Sequence, residues 1–316
     1  MSATRILLAG ISWLGYSKAA NSNHLSNLSR KPAIASRRTS PGARLRAALR
    51  AERPLQVVGV VNAYAAILAE KTGFRAIYVS GAGVANASYG VPDIGLTTLQ
   101  DVLIDVRRIA AVTKLPLLVD ADTGWEDPRK TVREMIRAGA AGIHLEDQVE
   151  AKRCGHLPNK QLVSAENMVR RIRAAIAGRA ASSFVIMART DAAASEGLEA
   201  AIARACRYRD AGADMIFAEA LTELGQYRRL AEAVKIPVLA NITEFGKTPL
   251  FTVAELASAG VRLALYPLSA FRAMNAAALR VYRAVRARGT QKSTLPFMQT
   301  RAELYEFLNY KAQSKI

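Results

Sequence analysis

Cysteine is nearly absent from this chain: Cys154 and Cys206 are its only two among 316 residues. Two thiols make no disulfide framework, which excludes the small cross-linked secreted scaffolds and leaves a reducing compartment as the default. Long apolar runs are missing as well; none approaches the eighteen or so residues that a membrane-spanning helix needs. Acidic residues are missing from the first 51 positions, which hold nine Lys or Arg and no Asp or Glu. That stretch alone supplies half of the net charge of +18. The remaining excess is scattered along helical segments. With no zinc spacing, no RNP-like signature and no interleaving of aromatic and basic residues, the charge does not describe a nucleic-acid-binding face.

What is present is a globular composition, 51% hydrophobic and 22% charged, enough to build a sizeable core. Residues 1–39 are expected to be a disordered basic extension. Their Arg- and Ser-rich, acid-free composition also fits an organelle transit peptide, which would move the protein from the cytoplasm to the mitochondrial matrix. From Ser40 onward, apolar runs alternate with segments of helical period. Eight runs read as strands: 57–61, 76–80, 116–122, 142–147, 184–191, 215–220, 237–243 and 263–268. Each is continuous rather than alternating, as expected of strands buried on both faces of a parallel sheet. Helical periods cover 99–112, 165–177, 198–210 and 224–234, and two more helices, 270–287 and 300–309, follow the last strand. Gly73, Gly139, Gly212 and Gly260 stand where helices should end. Eight such units close into a (β/α)8 barrel spanning 40–316 with its C-terminal helices. An open doubly wound sheet is the alternative, but no glycine-rich phosphate fingerprint follows the first strand.

In such a barrel the functional groups lie at the C-terminal ends of the strands. Those ends are polar in succession: Ser80-Gly81, Asp120-Ala121-Asp122, Glu146-Asp147, Arg189-Thr190-Asp191, Glu219 and Asn241-Ile242-Thr243. Helix capping explains one or two polar endings, not six in a row. Asp120 and Asp122, two apart on a strand, should point the same way. With Glu146 they make an oxygen-rich site suited to Mg²⁺, which takes a few carboxylates and keeps several waters. Zinc fits poorly, since His144 precedes its strand end and His156 stands alone. Arg189 and Arg272 offer planar forks for carboxylates. After the fourth strand comes Lys152-Arg153-Cys154-Gly155-His156, a thiol among three basic side chains, which favour the thiolate. An exposed basic loop with an incidental cysteine is the plain alternative.

Lys-Arg-Cys-Gly-His after a Glu-Asp-Gln strand end, with Asp-Ala-Asp on the strand before, resembles the isocitrate lyase and phosphoenolpyruvate mutase superfamily. The likeness runs from about Ser40 to Tyr310. It includes Ser80-Gly81-Ala82-Gly83-Val84, residues 118–122, 186–191, 239–245 and 265–275, Gln291-Lys292 and residues 298–301. One departure is the loop 123–128, shorter and more acidic than its counterparts.

The resemblance implies an Mg²⁺-dependent carbon–carbon lyase of propionate breakdown, acting on a methyl-branched 2-hydroxy-tricarboxylate to give pyruvate and succinate. Ser80, Gly81 and Ala82 would bind substrate. Asp120 and Asp122 would hold the ion, with Asp93 and Glu146 reaching it through water. Cys154 would be the catalytic acid, with Lys152 and His156 tuning it. Gly155, Arg189, Glu219, the Asn241-Ile242-Thr243 segment, Arg272 and Arg301 would touch substrate. Phe217, Leu265 and Pro267 would form an apolar wall for the methyl group, with core packing an equal alternative. Tyr78 is the candidate base. The resemblance also implies a homotetramer built through the C-terminal helices, weakened if the chain stops at Ile316. Isocitrate or another 2-hydroxy-polycarboxylate as substrate, or oxaloacetate-decarboxylase-like chemistry, stays open, although the decarboxylase and phosphonate relatives lack the cysteine loop. A catalytically dead RNA-binding barrel is the reading from another class; neither nucleic acid nor membrane is expected as partner.

Overall fold

A computed structural model of the chain describes residues 39–149, 161–180 and 183–310. The expected basic extension up to Arg38 lies outside them, and so do Lys152, Cys154, Gly155 and His156. The eight apolar runs form strands: β1 (Leu55–Gly59), β2 (Ala76–Val79), β3 (Leu117–Asp120), β4 (Gly142–Glu146), β5 (Val185–Thr190), β6 (Met215–Ala218), β7 (Val238–Asn241) and β8 (Leu263–Tyr266). All pair in parallel in chain order, and β8 returns to β1, so the sheet is a closed barrel. Asp120, Glu146, Thr190 and Asn241 are the last residues of their strands, while Ser80, Asp122, Asp147, Asp191, Glu219 and Thr243 lie just beyond them. The first strand begins two residues earlier than expected, at Leu55, where Leu55 N bonds Arg262 O at 2.9 Å.

Between the strands lie α2 (Ala63–Lys71), α3 (Leu99–Ala110), α4 (Pro128–Ala138), α5 (Ala165–Gly178), α6 (Leu198–Asp210), α7 (Leu224–Val234) and α8 (Val253–Ser258). Two helices follow β8: α9 (Ser269–Arg288) and α10 (Arg301–Phe307). The four glycines at the helix-to-strand joints all take positive φ, between 79° and 103°, as the closing position requires. Among the described residues no helix is long and apolar enough to cross a membrane.

Strand parity sorts the core into two layers. Ile77, Val119, Ile143, Ile186, Ile216 and Val238 face outward and pack under the helices. Leu55, Val57, Ala76, Tyr78, Leu118, Met187, Phe217, Leu239, Leu263 and Leu265 fill the barrel's interior. At Gly59, a Cβ would lie 1.7 Å from Pro267 O, so only glycine lets the tops of β1 and β8 meet.

One helix, α1 (Pro41–Ala51), is not among the expected elements, although Ser40-Pro41 is a start signal: Ser40 Oγ accepts from Ala43 N at 3.3 Å and proline takes the first turn. Its Leu45, Ala48 and Leu49 join the interior cluster of the barrel. Its polar side bonds the segments that lead into the strands. Arg44 Nε donates to Lys114 O, Arg262 Nη2 to Leu49 O, and Arg46 Nη2 to Asp214 Oδ1 at 2.8 Å. The helix therefore stops the N-terminal end, which leaves the C-terminal mouth open.

Asp214 also accepts from Arg179 Nη1 at 2.7 Å and Ile186 N at 2.9 Å. Asp214→Ala should cost about 1–3 kcal/mol, the worth of charge-assisted bonds at a partly wetted site. Urea unfolding measures it; an unchanged midpoint would mean that apolar contact alone holds α1.

Candidate active site

Inward parity continues past the ends of the strands and brings the polar residues together. A cavity of about 150 Å³ opens at the mouth, lined by Tyr78, Ser80, Ala82, Asp93, Asp120, Arg189, Glu219, Asn241, Thr243 and Arg272. Phe217, Leu265 and Pro267 line it too, as an apolar side. Thirteen sequence-derived positions therefore share one small space. Glu244, Phe245 and Gly246 also line it. Sequence reasoning assigned them no role, although they directly follow Thr243.

Asp120 and Asp122 do converge, but not by strand alternation. The strand ends at Asp120, and Asp122 sits in a turn with φ +47°, a left-handed conformation that aspartate tolerates better than most residues. Asp122 N donates to Asp120 Oδ1 at 3.1 Å, and Gly81 N to Asp120 Oδ2 at 3.2 Å. A Cβ on Gly81 would lie 3.2 Å from Asp120 Oδ2 and 3.3 Å from Asp122 Oδ1, so both carboxylates close over that glycine.

Across the cavity, Arg189 is buried among carboxylates. Its Nε and Nη2 reach Asp191 at 3.0 and 3.1 Å, its Nη2 reaches Glu219 at 3.1 Å and its Nε reaches Glu146 at 3.4 Å. Burial works against the guanidinium's charge, but Asp191, Glu219 and Glu146 outweigh it and hold its pKa well above the usual value. Its Cζ lies 5.0 Å from the Phe217 ring centroid. Asn241 Nδ2 sits 3.4 Å from both oxygens of Glu219.

His144, dismissed as a zinc ligand from its place in the sequence, belongs to this mouth. It shares inward parity with Glu146, stacks on Tyr78 with ring centroids 5.8 Å apart, and meets Phe217 edge-on. Tyr78 Oη and His144 Nε2 are 2.8 Å apart, and His144 Nε2 lies 3.6 Å from Asp120 Oδ1. Burial first, and the Asp120 charge second, push the Tyr78 phenol well above its ordinary pKa.

Ile242, expected with Asn241 and Thr243 as a substrate contact, does not line the cavity. Its parity turns it outward into the helix-packed core, and its N–H is spent on Leu265 O at 2.8 Å. Arg301 opens α10 as an exposed residue and does not line the cavity. Arg272 is half exposed at the rim, 3.9 Å from Glu244 Oε2 and over the ring of Phe245, which is itself 93% exposed. Ser269 Oγ donates to Glu244 Oε1.

Five carboxylates are buried at this mouth: Asp120, Asp122, Glu146, Asp191 and Glu219. Among the described residues, Arg189 is the one Lys or Arg buried with them. That imbalance, in an all-oxygen donor set, suits a hard divalent cation. The described residues contain no group of three or more His, Cys, Asp or Glu able to hold a metal ion by itself. A divalent cation here would have the pair over Gly81 as its direct ligands and would take the rest of its shell from water or substrate, an arrangement that suits Mg²⁺.

A family model described as phosphoenolpyruvate phosphomutase matches residues 45–286. The chain is 62% identical over 275 residues to a 2-methylisocitrate lyase of Escherichia coli (strain K12), covering 86% of this chain and 93% of that one. A solved 2,3-dimethylmalate lyase, described as a member of the PEP mutase/isocitrate lyase superfamily, superposes with a TM-score of 0.81 at 33% identity, over 87% of this chain and 94% of that one. A phosphonopyruvate hydrolase, solved in complex with oxalate and Mg²⁺, superposes with a TM-score of 0.76 at 29% identity, over 87% of this chain and 97% of that one.

The phenol of Tyr78 ties the site to alkaline stability. Its folded pKa lies above the unfolded value of about 10, so its contribution is intact below that pH and is lost as pH rises past it. Tyr78→Phe should therefore lose less stability than the parent between about pH 9 and about pH 11. Urea unfolding at both values reads this; parallel losses would mean that the phenol ionises normally.

Proposed function

The chain belongs to the phosphoenolpyruvate phosphomutase family, and on that footing we propose that it cleaves 2-methylisocitrate to pyruvate and succinate. It is a carbon–carbon lyase of a metal-dependent superfamily. One observation carries the reading: a single small cavity is lined by Asp120, which closes with Asp122 over Gly81, by a buried guanidinium and by an apolar side. A branched polyacid offers the complementary set of carboxylates, hydroxyl and methyl.

Mg²⁺ is the divalent cation of this reading: Asp120 and Asp122 would hold it, and Asp93 and Glu146 would reach it through water. When bound it supplies positive charge to offset that of the substrate's hydroxyl oxygen and neighbouring carboxylate. Ser80 and the Gly81-Ala82 backbone hold that end of the substrate. Arg189 and Arg272 hold the carboxylates of the other half, with Asn241 and Thr243. Phe217, Leu265 and Pro267 face the methyl group.

Tyr78 takes the hydroxyl proton, and it need not ionise alone. Its own proton passes to His144 Nε2, 2.8 Å away, which requires the tautomer protonated on Nδ1. Asp120, at 3.6 Å, stabilises the imidazolium that results. As the carbon–carbon bond breaks, one half becomes the ketone of pyruvate. The electron pair stays on the succinate half and spreads into its carboxylate beside Arg189. Cys154 then gives its proton to that carbon. The thiolate and His144 return to their starting states through solvent. Lys152 and His156, the cationic neighbours of Cys154 in the sequence, favour the thiolate left behind.

The same reading includes a cytoplasmic homotetramer. Helix α9 buries none of its twenty residues and exposes Met274, Leu279, Tyr282 and Val285, apolar surface that another copy would cover. Sedimentation equilibrium should give four chains; a monomer would remove this part.

Pyruvate should be released from 2-methylisocitrate with Mg²⁺ present and not in EDTA. Cys154→Ser should still bind succinate while turnover falls about 10²–10⁴-fold, the usual worth of a general acid. Equal activity on isocitrate, with glyoxylate as product, or full activity in EDTA, would overturn the assignment.

A further inference from the structure

The mouth depends on a carboxylate that lies outside the barrel wall. Asp147 follows Glu146 at the end of β4, so its side chain has the opposite parity and points away from the cavity, fully buried. A lone buried carboxylate is costly, and an apolar side chain would pack there at less expense. Asp147 is met by donors from two elements. Its Oδ2 accepts from Thr190 Oγ1 at 2.7 Å and from Tyr208 Oη on α6 at 2.8 Å. Arg204 Nη1, from the same helix, lies 3.6 Å away. Its Oδ1 accepts the backbone N–H of Asp191 at 2.9 Å.

That last bond links the outer face to the cavity. Asp191 has φ −100° and ψ 9°, in the sparsely populated bridge region, where an intact N–H contact helps to pin the backbone. Its side chain does not cap the turn that follows; it is spent on Arg189 Nε and Nη2. The linkage runs from Asp147 through the Asp191 peptide and carboxylate to the guanidinium. Arg204 secures it further, since it also pairs through both ends of its fork with Glu196, just beyond this turn.

We propose that Asp147 is a positioning residue: from outside the barrel it holds the Asp191 backbone, and thereby aims the Arg189 fork at a substrate carboxylate. The inference rests on the reading above for what Arg189 binds. Asp147 touches no substrate. Its effect is on the orientation of a group that does, where misplacement by about 1 Å can cost about a hundredfold.

Succinate binding to the full-length protein in Mg²⁺, measured by calorimetry, reads the effect without turnover. Asp147→Ala should weaken binding about 10–100-fold and raise KM in parallel. Asp147→Asn, whose Oδ1 can still accept the Asp191 N–H, should bind succinate within about threefold of the parent, since it keeps that bond. In Arg189→Lys, which already lacks the fork, adding Asp147→Ala should weaken binding little further, because residues acting through one contact are not additive.

Should Asp147→Ala not fold, the combined Thr190→Val, Asp147→Leu and Tyr208→Phe variant replaces donors and acceptor together by apolar groups of similar shape, a change that is often near neutral for stability. It too should lose succinate. Normal succinate binding in Asp147→Ala or the combined variant, or full additivity with Arg189→Lys, would overturn the proposal alone. Failure of the parent protein to bind succinate would overturn the lyase reading and this inference with it.

Discussion

A guanidinium with almost no water around it stays charged only where carboxylates surround it, and Arg189 has those of Asp191, Glu219 and Glu146 within 3.4 Å. The dependence is mutual. Three acidic groups drawn from the ends of three adjacent strands are buried at that depth with its positive charge among them, and a buried carboxylate without such a partner is costly. The ends of β4, β5 and β6 are therefore locked into one electrostatic unit, and the cavity takes its shape from it. Removing the cation would leave several buried charges of one sign, a loss much larger than that of any surface ion pair.

This arrangement needs a barrel closed at its other end. Helix α1 does that by adding Leu45, Ala48 and Leu49 to the interior cluster and by bonding the segments that enter the strands. Apolar side chains then fill the interior from that stopper up to Tyr78, Phe217 and Leu265, where the polar layer begins. The cavity is small because the barrel beneath it is packed.

The same alternation that lines the cavity places Asp147 and Ile242 behind it. One is apolar and simply packs. The other is a buried acid whose hydrogen bonds reach back through the wall to Asp191. Adjacent positions on a strand end thus divide the work: Glu146 faces the reactants' side, and Asp147 the scaffold's.

Much of this was legible in the chain itself. Continuous apolar runs, helical periods and glycines at the joints determined the number of strands, their parallel order and the end at which polar groups would gather, because burial on both faces and the closing turn of a helix constrain local sequence directly. The Lys152–His156 stretch and its neighbours were enough to suggest the family, which the comparisons bear out. Only the tertiary structure decided the rest. Asp122 meets Asp120 through a left-handed turn rather than strand alternation, Ile242 turns to the core, and Arg301 lies away from the cavity. His144 joins Tyr78 across two strands, and α1 stops the barrel. These depend on register, parity and contacts between residues distant in sequence, which no local pattern encodes.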